Sequence, residues 1–193
     1  MGDMGDALAH TRSSAFAHPR KNVSMLGIVS GMRVADFGSG SGAYALSIAE
    51  EMNDSGRVYA IDIQKDLLRR LANESARLGR TNLDVIWADL EVPRASKLAE
   101  HSIDVVLMSN MLFQVHDKKR VIREALRVVK TNGRIAVIDW TDSFGGMGPT
   151  KDDILSRDAA LALLQEEGAA LVQEFSAGAH HYGLIFMPEQ HTV

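Results

Sequence analysis

Glycines and carboxylates spaced along the first half of the chain are the residues that indicate a cofactor site. Residues 36–42 read DFGSGSG, so three glycines follow an aspartate within a short turn. Asp62 comes twenty residues after the last of these glycines, and Asp89 follows the next apolar segment. Glycine lacks the side chain that would keep a ligand from the backbone, and it tolerates positive φ angles. The pattern therefore predicts a ligand held between exposed backbone and several carboxylates.

The carboxylate of Asp36 decides which ligand this turn could hold. Helix N-termini bind anions, but this acid would repel a pyrophosphate at the start of the following helix. It would attract an ammonium or sulfonium group, directly or through water, and Asp62 suits the two hydroxyls of a ribose. Asp89 can accept from an adenine amino group, with Ile63 and Leu90 on the two faces of the ring. Together these features predict S-adenosylmethionine as the cofactor.

Two alternatives stay open on this pattern. Residues 38–43 also fit a loose Gly-x-Gly-x-x-Ala fingerprint for a nicotinamide dinucleotide, with Asp62 at the expected distance. An NAD-dependent oxidoreductase is therefore one alternative, although the charge of Asp36 opposes it. A cofactor-binding regulatory domain without catalytic activity is the other. Each part also has a simpler explanation, since glycines serve any tight turn and an acid after a strand is often a helix N-cap.

Apolar segments that end at these residues alternate with helical patterns, which predicts the fold class. Five strands are expected at residues 33–37, 58–61, 83–88, 103–108 and 134–140. The segments between them repeat apolar residues at helical spacing, and Asn132-Gly133 is expected to cap the helix before the fifth strand. Two last strands, near 171–176 and 182–187, are too close for a crossover and must be antiparallel. The prediction is an α/β fold with a doubly wound, mostly parallel seven-stranded sheet and a C-terminal antiparallel strand.

Composition narrows the class of protein further. The chain has 193 residues, a formal net charge of −4 and no cysteine, which excludes disulfides, zinc–thiolate sites and a cysteine nucleophile. The mild negative charge argues against a nucleic-acid partner, and the basic residues between 118 and 127 fit the solvent face of a helix. No apolar run approaches the roughly 18 residues that a membrane helix needs. We expect a cytoplasmic protein without a metal site, because adjacent histidines chelate poorly on a strand.

Five segments of the sequence share a pattern with one enzyme family. They are VADFGSGSG at 34–42, VYAID at 58–62, WADL at 87–90, IDVVLMSNMLFQV at 103–115 and RVVKTNGRIAVIDW at 127–140. Together they resemble the class I S-adenosylmethionine-dependent methyltransferases. The last segment is similar to those that act on small molecules, including the ubiquinone and menaquinone biosynthesis type, except that Thr-Asn-Gly replaces the usual Pro-Gly-Gly at 131–133. The resemblance implies a Rossmann-like methyltransferase fold and a small-molecule acceptor.

The resemblance also implies roles for the matching positions. Asp36 and the first two glycines would hold the methionine part of the cofactor. Ser109 and Asn110 would approach the methionine end of the cofactor. The full predicted cofactor site comprises Asp36, Phe37, Gly38, Ser39, Gly40, Gly42, Asp62, Ile63, Asp89, Leu90, Ser109 and Asn110. Residues 109–112 read SNML, not the Asn-Pro-Pro-aromatic motif of enzymes that methylate nucleic-acid bases. The lack of cysteine argues against arsenite as the acceptor.

The sequence defines the acceptor side less closely than the cofactor side. Methyl transfer from a sulfonium is an in-line displacement that depends on alignment, and a general base is needed only if the acceptor loses a proton. The candidate catalytic residues are His116, His180, His181 and Tyr182. Neighbouring side chains on a strand point to opposite sides, so at most one of the two adjacent histidines can face the site.

Two segments are expected to cover the acceptor. Residues 1–24 are predicted to form an N-terminal arm with His18 and Asn22 over the site, while residues 25–193 form a single methyltransferase domain. The glycine-rich loop at 143–149 follows the fifth strand and lies on the same side. We predict that the arm and the loop form a lid.

Overall fold

The computed structural model describes residues 18–53, 55–144 and 148–189. Within them, strands and helices alternate as the sequence pattern predicts. In chain order the elements are α1 (Pro19–Met25), β1 (Arg33–Phe37), α2 (Ala43–Glu51), β2 (Arg57–Asp62), α3 (Lys65–Arg77), β3 (Leu83–Trp87), β4 (Ile103–Ser109), α4 (Lys118–Val128), β5 (Val129–Trp140), α5 (Arg157–Glu166), β6 (Ala169–Gly178) and β7 (His181–Pro188).

A seven-stranded sheet forms the centre of the structure, in the order β3-β2-β1-β4-β5-β7-β6. Strands β1 to β5 pair in parallel, and β7 runs antiparallel between β5 and β6. The predicted fold class is confirmed, including its reversed strand. The strand order changes direction between β1 and β4, which opens a crevice beyond the carboxyl ends of these strands.

Hydrophobic cores cover both faces of the sheet. Strand β4 shows this most clearly, because its alternating residues enter different cores. Val106 and Met108 pack in the core under α4 and α5, whereas Val105 and Leu107 pack in the core under α1, α2 and α3. A strand that is buried on both faces has a nearly continuous apolar sequence, which is why residues 103–108 could be recognised as a strand.

Helix α1 occupies part of the predicted N-terminal arm. Residues 1–17 of that arm lie outside the described residues. From Pro19 onward the chain is helical, and Val23 and Leu26, each 1% exposed, are buried beside α2. Asn22, expected over the acceptor, is also 1% exposed. This part of the arm is therefore packed into the domain, because its apolar residues bury against α2.

The join between α4 and β5 differs from the prediction. Asn132-Gly133 does not cap the helix, since α4 ends at Val128 and β5 begins at the next residue. The register between β4 and β5 shifts there, so that Arg134 is the partner of Val105. A Cβ on Gly133 would lie 2.8 Å from Asp104 O. Glycine is thus needed at position 133 because the backbones of β4 and β5 approach closely. A close backbone approach and a turn both require glycine, so the sequence pattern is the same for the two.

The other helix ends agree with the sequence signals. Ser156 is the N-cap of α5 and accepts from Ala159 N at 3.2 Å. Gly79 and Gly168 follow α3 and α5 with φ angles of +69° and +90°, the left-handed conformation common after helices. Among the described residues, no helix combines the length and the apolar character that crossing a bilayer requires.

Lys119 and Arg123 of α4 lie on its solvent face, as predicted, whereas the side chain of Arg127 is only 16% exposed and pairs with the buried Glu124. The three residues form the ion pairs Lys119–Glu166, Arg123–Glu167 and Arg127–Glu124, with N–O distances of 2.8, 2.6 and 2.8 Å. Because these cations have acidic partners close by, this face carries little excess positive charge. The exposed pair Lys119–Glu166 adds little to stability.

Candidate active site

A cavity of about 800 Å³ occupies the crevice at the carboxyl ends of strands β1 to β5. Small-molecule sites are typically about 300–1,000 Å³ in volume, so a cofactor and a modest acceptor can share it. Ten of the twelve predicted cofactor residues line this cavity, namely Asp36, Gly38, Ser39, Gly40, Asp62, Ile63, Asp89, Leu90, Ser109 and Asn110. The loops after the first four strands thus meet at one place.

Phe37 and Gly42 do not border the cavity, for two different reasons. Side chains alternate along a strand, so Phe37 points into the core on the opposite face from Asp36 and is 0% exposed. Gly42 has a φ of +84° at the N-cap of α2, and a Cβ there would meet the Leu71 side chain at 2.2 Å. The glycine at position 42 is therefore required for packing α2 against α3.

Strand β2 holds the glycine turn in place. Gly38 N donates to Ile61 O at 2.8 Å, and Gly40 N donates to Asp62 Oδ2 at 2.8 Å. Asp62 Oδ1 accepts from Gln64 N at 2.8 Å. Because Gln64 is itself the N-cap of α3, helix capping does not explain Asp62. Each oxygen of an ionised carboxylate has a second acceptor position, so Asp62 can hold the turn and still accept from a ribose.

Asp36 is a buried carboxylate without a complete set of partners. It is 2% exposed, and its Oδ2 has no hydrogen-bond partner among the described residues. Burial raises the pKa of Asp36 to about 7, opposed by the backbone N–H of Ala45 and reinforced by the charge of Asp62. Leaving a buried acceptor unsatisfied is costly. A cationic group in the cavity would remove that cost.

Comparison with known proteins agrees with this geometry. Residues 28–183 match a family model described as a methyltransferase domain. The chain belongs to this family. The ubiquinone/menaquinone biosynthesis C-methyltransferase UbiE of Pasteurella multocida is 28% identical over 123 residues, which cover 63% of this chain and 45% of that protein. An arsenite methyltransferase of Aquipseudomonas alcaligenes is 29% identical over 116 residues, covering 58% of this chain and 34% of that protein.

The chain spans less than half the length of these two curated relatives. A solved structure, a SAM dependent methyltransferase from Aquifex aeolicus, is similar over nearly the whole chain. Its TM-score is 0.82 at 24% identity, covering 91% of this chain and 92% of that one. At this level of identity, the similarity shows a shared fold, and the chemistry must be argued from the site.

The two adjacent histidines of the methyltransferase domain lie apart, because His180 is in the turn before β7 and His181 is the first residue of that strand. His181 is 3% exposed and lines the cavity. His180 is not part of the lining, and its Nδ1 lies 2.6 Å from Asp142 Oδ1. His116 also lines the cavity, where its backbone N donates to Glu91 Oε1 at 3.2 Å. Of the candidate histidines, His116 and His181 therefore border the site.

Tyr182 lies on the opposite face of β7 from His181 and does not line the cavity. Its hydroxyl donates to Leu155 O at 3.0 Å. Burial raises the pKa of Tyr182 far above its ordinary value, and the negative charge of Asp139 adds to the effect. The structure thus gives this residue a packing role under α5, because the period-two alternation that brings His181 to the cavity turns Tyr182 away from it.

An aromatic wall borders the cavity near the end of β5. The rings of Trp140 and His181, which are paired across β5 and β7, lie 4.3 Å apart at an interplanar angle of 41°. Gly148 belongs to the predicted lid loop, and a Cβ there would lie 2.8 Å from the Trp140 ring. Pro19 of α1 completes the border. Residues 145–147 of the loop lie outside the described residues.

Several lining residues were missed by the sequence analysis, including Tyr44, Met111 and Gln114. Met111 lies against the glycine turn, since a Cβ on Gly38 would be 2.8 Å from Met111 Cγ. Tyr44 had a usable signal, because it stands two residues after the last glycine, in the first turn of α2. The first turn of a helix that follows such a glycine loop faces the crevice.

We expect the affinity of this domain for S-adenosylmethionine to depend on pH through Asp36. Burial raises the pKa of Asp36 to about 7, whereas an ammonium group beside it favours the ionised carboxylate. Binding below pH 7 must therefore release a proton from Asp36. Affinity should rise about tenfold between pH 6 and pH 8, measured by titration calorimetry. Asp36→Asn should remove this dependence. The same slope in that variant would assign it to another group.

Proposed function

We propose that this methyltransferase domain transfers the methyl group of S-adenosylmethionine to a small-molecule acceptor by in-line displacement. The observation that carries the proposal is the charge of the cavity. Its described lining contains Asp36, Asp62, Asp89 and Glu91 but no lysine or arginine. Such a site attracts a cationic nucleoside and repels the pyrophosphate of a nicotinamide dinucleotide.

Each part of the cofactor has a matching group in the lining. The partnerless oxygen of Asp36 suits the ammonium of the methionine part. Asp62 keeps acceptor positions for the ribose hydroxyls. Asp89 is in the lining with Ile63 and Leu90, where its Oδ1 accepts from Glu91 N at 2.9 Å. This arrangement suits an adenine whose amino group meets a carboxylate and whose faces meet apolar side chains.

The residues of the chain then contribute alignment, exclusion of water and, where required, a place for a proton. When bound, the cofactor supplies a methyl group on a positively charged sulfur. Trp140 and Gly148 shape the wall against which an acceptor would be held, and alignment of this kind can lower the barrier substantially. His181 is the cavity histidine on that wall, so it is our candidate to take a proton from an acceptor that loses one.

Pro19 and Gly148, one from each predicted lid segment, border the cavity, which supports the prediction that these two segments lie at the acceptor. The neutralised face of α4 supports a small-molecule acceptor rather than a nucleic acid.

Titration calorimetry with three ligands tests the proposed function. S-adenosylmethionine and S-adenosylhomocysteine should bind, and NAD should not. Binding of NAD alone would contradict the proposal and favour an oxidoreductase. Incubation with S-adenosylmethionine labelled in its methyl group, across a panel of phenols, amines and carboxylates, then tests transfer. Tight cofactor binding with no transfer to any acceptor class would favour a regulatory binding domain.

A further inference from the structure

The first turn of α2 places a tyrosine at the border of the cavity. Tyr44 lines the cavity and is 7% exposed. A buried phenol usually has a hydrogen-bond partner for its hydroxyl, and here that partner is Asn22 of α1. The donor and acceptor properties of the two groups determine where the proton of the phenol can go.

Asn22 of α1 fixes one side of this hydroxyl. Its Nδ2 donates to Tyr44 Oη and to Ala177 O, both at 2.8 Å. An amide nitrogen can only donate, so the phenol oxygen is the acceptor in this pair. The proton of Tyr44 must therefore be directed away from Asn22.

Ser109, at the end of β4, lies on another side of the hydroxyl. Burial raises the pKa of Tyr44, hydrogen bonds with Asn22 and Ser109 lower it, and the charge of Asp36 raises it. The net effect is upward, so the phenol keeps its proton at neutral pH. Ser109 Oγ has no hydrogen-bond partner among the described residues. A serine hydroxyl and a phenol can each donate one O–H to a ligand.

A carboxylate is the ligand group that most needs this donor. The methionine part of S-adenosylmethionine has an ammonium and a carboxylate, and Asp36 suits only the ammonium. The described lining offers the carboxylate no lysine or arginine, so within this part of the chain its partners are neutral donors. Hydrogen bonds from neutral donors to a charged acceptor are stronger than those to a neutral one.

We propose that Tyr44, oriented by Asn22 and acting with Ser109, is the positioning residue that donates to the methionine carboxylate of the cofactor. The inference rests on the proposed function and assigns a new residue within that site. By fixing the carboxylate, Tyr44 sets the direction of the sulfur and hence of the methyl group.

Tyr44→Phe tests this assignment with two ligands that differ in one group. S-adenosylhomocysteine contains the amino acid part, whereas 5′-methylthioadenosine keeps the nucleoside and sulfur and lacks it. We expect the affinity of the variant for S-adenosylhomocysteine to fall about tenfold, which is about 1.4 kcal/mol. Its affinity for 5′-methylthioadenosine should stay within about twofold. Tyr59→Phe, which removes a hydroxyl bonded to Arg33 on the sheet, should change neither affinity.

Asn22→Asp tests the orienting role separately. A carboxylate at this position would accept from the phenol and turn its proton away from the cavity. The same selective loss for S-adenosylhomocysteine is expected. Asn82→Asp is the matched control, since Asn82 is 2% exposed and its Nδ2 donates to Ala49 O at 3.1 Å. Its stability loss should be similar, and its ligand selectivity should stay as in the wild type.

Three results would overturn the assignment. An equal loss for both ligands in Tyr44→Phe would indicate general damage to the cavity. An unchanged affinity for S-adenosylhomocysteine together with a raised KM for the acceptor would assign the hydroxyl to the acceptor instead. If the wild-type protein fails to bind S-adenosylhomocysteine at all, the proposed function fails and this assignment with it. Should Asn22→Asp not fold, the Tyr44→Phe measurement remains decisive.

Discussion

Asp62→Ala should lower the affinity for S-adenosylhomocysteine about 100-fold, or about 2.7 kcal/mol. Two losses combine in this variant. The ribose loses a charged acceptor, and hydrogen bonds to charged groups contribute about 1.5–3 kcal/mol. The glycine turn also loses its attachment, because Asp62 Oδ2 accepts from Gly40 N. Titration calorimetry at fixed pH measures the change directly.

Asp66→Ala is the control for this variant. Asp66 stands in the first turn of α3, is 75% exposed and pairs with Arg69 at 3.1 Å. Removing it deletes one nearby negative charge without touching the cavity. Its affinity should stay within about twofold of the wild type, as for other screened surface charges. Wild-type affinity in Asp62→Ala would contradict the assignment of the ribose site.

Gly40→Ala should abolish most of the cofactor affinity at a stability cost of about 1–2 kcal/mol. Gly40 has a φ of +53°, and apart from its chain neighbours a Cβ there would meet no atom of the described residues within 4 Å. The methyl group would instead enter the cavity, where we place the cofactor against the backbone. We expect at least about a 30-fold loss for S-adenosylhomocysteine, about 2 kcal/mol. Calorimetry and thermal unfolding of the same samples separate binding from stability.

Gly79→Ala matches this substitution in every respect except position. Gly79 has a φ of +69°, also with no protein atom within 4 Å of a Cβ, but it follows α3 away from the cavity. A left-handed alanine costs about 1–2 kcal/mol, so both variants should lose similar stability. Only Gly40→Ala should lose affinity. Equal affinities in the two variants would place the cofactor elsewhere.

The acids of the site could be predicted from the sequence because each one follows a strand. Asp36, Asp62 and Asp89 end or follow apolar segments, and parallel strands bring their carboxyl ends to one edge of the sheet. The carboxyl ends of parallel strands meet at this edge regardless of which side chains lie between the three acids in the sequence. This rule does not say which way a side chain points, and so Phe37 was included although it packs in the opposite core.

The hydrogen bond between Asn22 and Tyr44 could not be predicted in the same way. Asn22 meets Tyr44 and Ala177 across sequence separations of 22 and 155 residues. A pairing of that kind depends on how α1 packs, which no local pattern contains. The burial of Val23 and Leu26 beside α2 depends on the same packing. At Gly133, close backbone approach to β4 and a turn both call for glycine, so the pattern could not distinguish them.

The sequence by itself determined the alternation of strands and helices, the reversed last strand, the glycine turn and the acids around it. These follow from periodicity, loop length and the conformational freedom of glycine, which are local properties of the chain. Only the tertiary structure decided that β7 lies between β5 and β6, that His181 faces the cavity and Tyr182 does not, and that Asn22 holds Tyr44. Those features depend on which surfaces pack together, because burial and hydrogen-bond partners are set by distant segments of the chain.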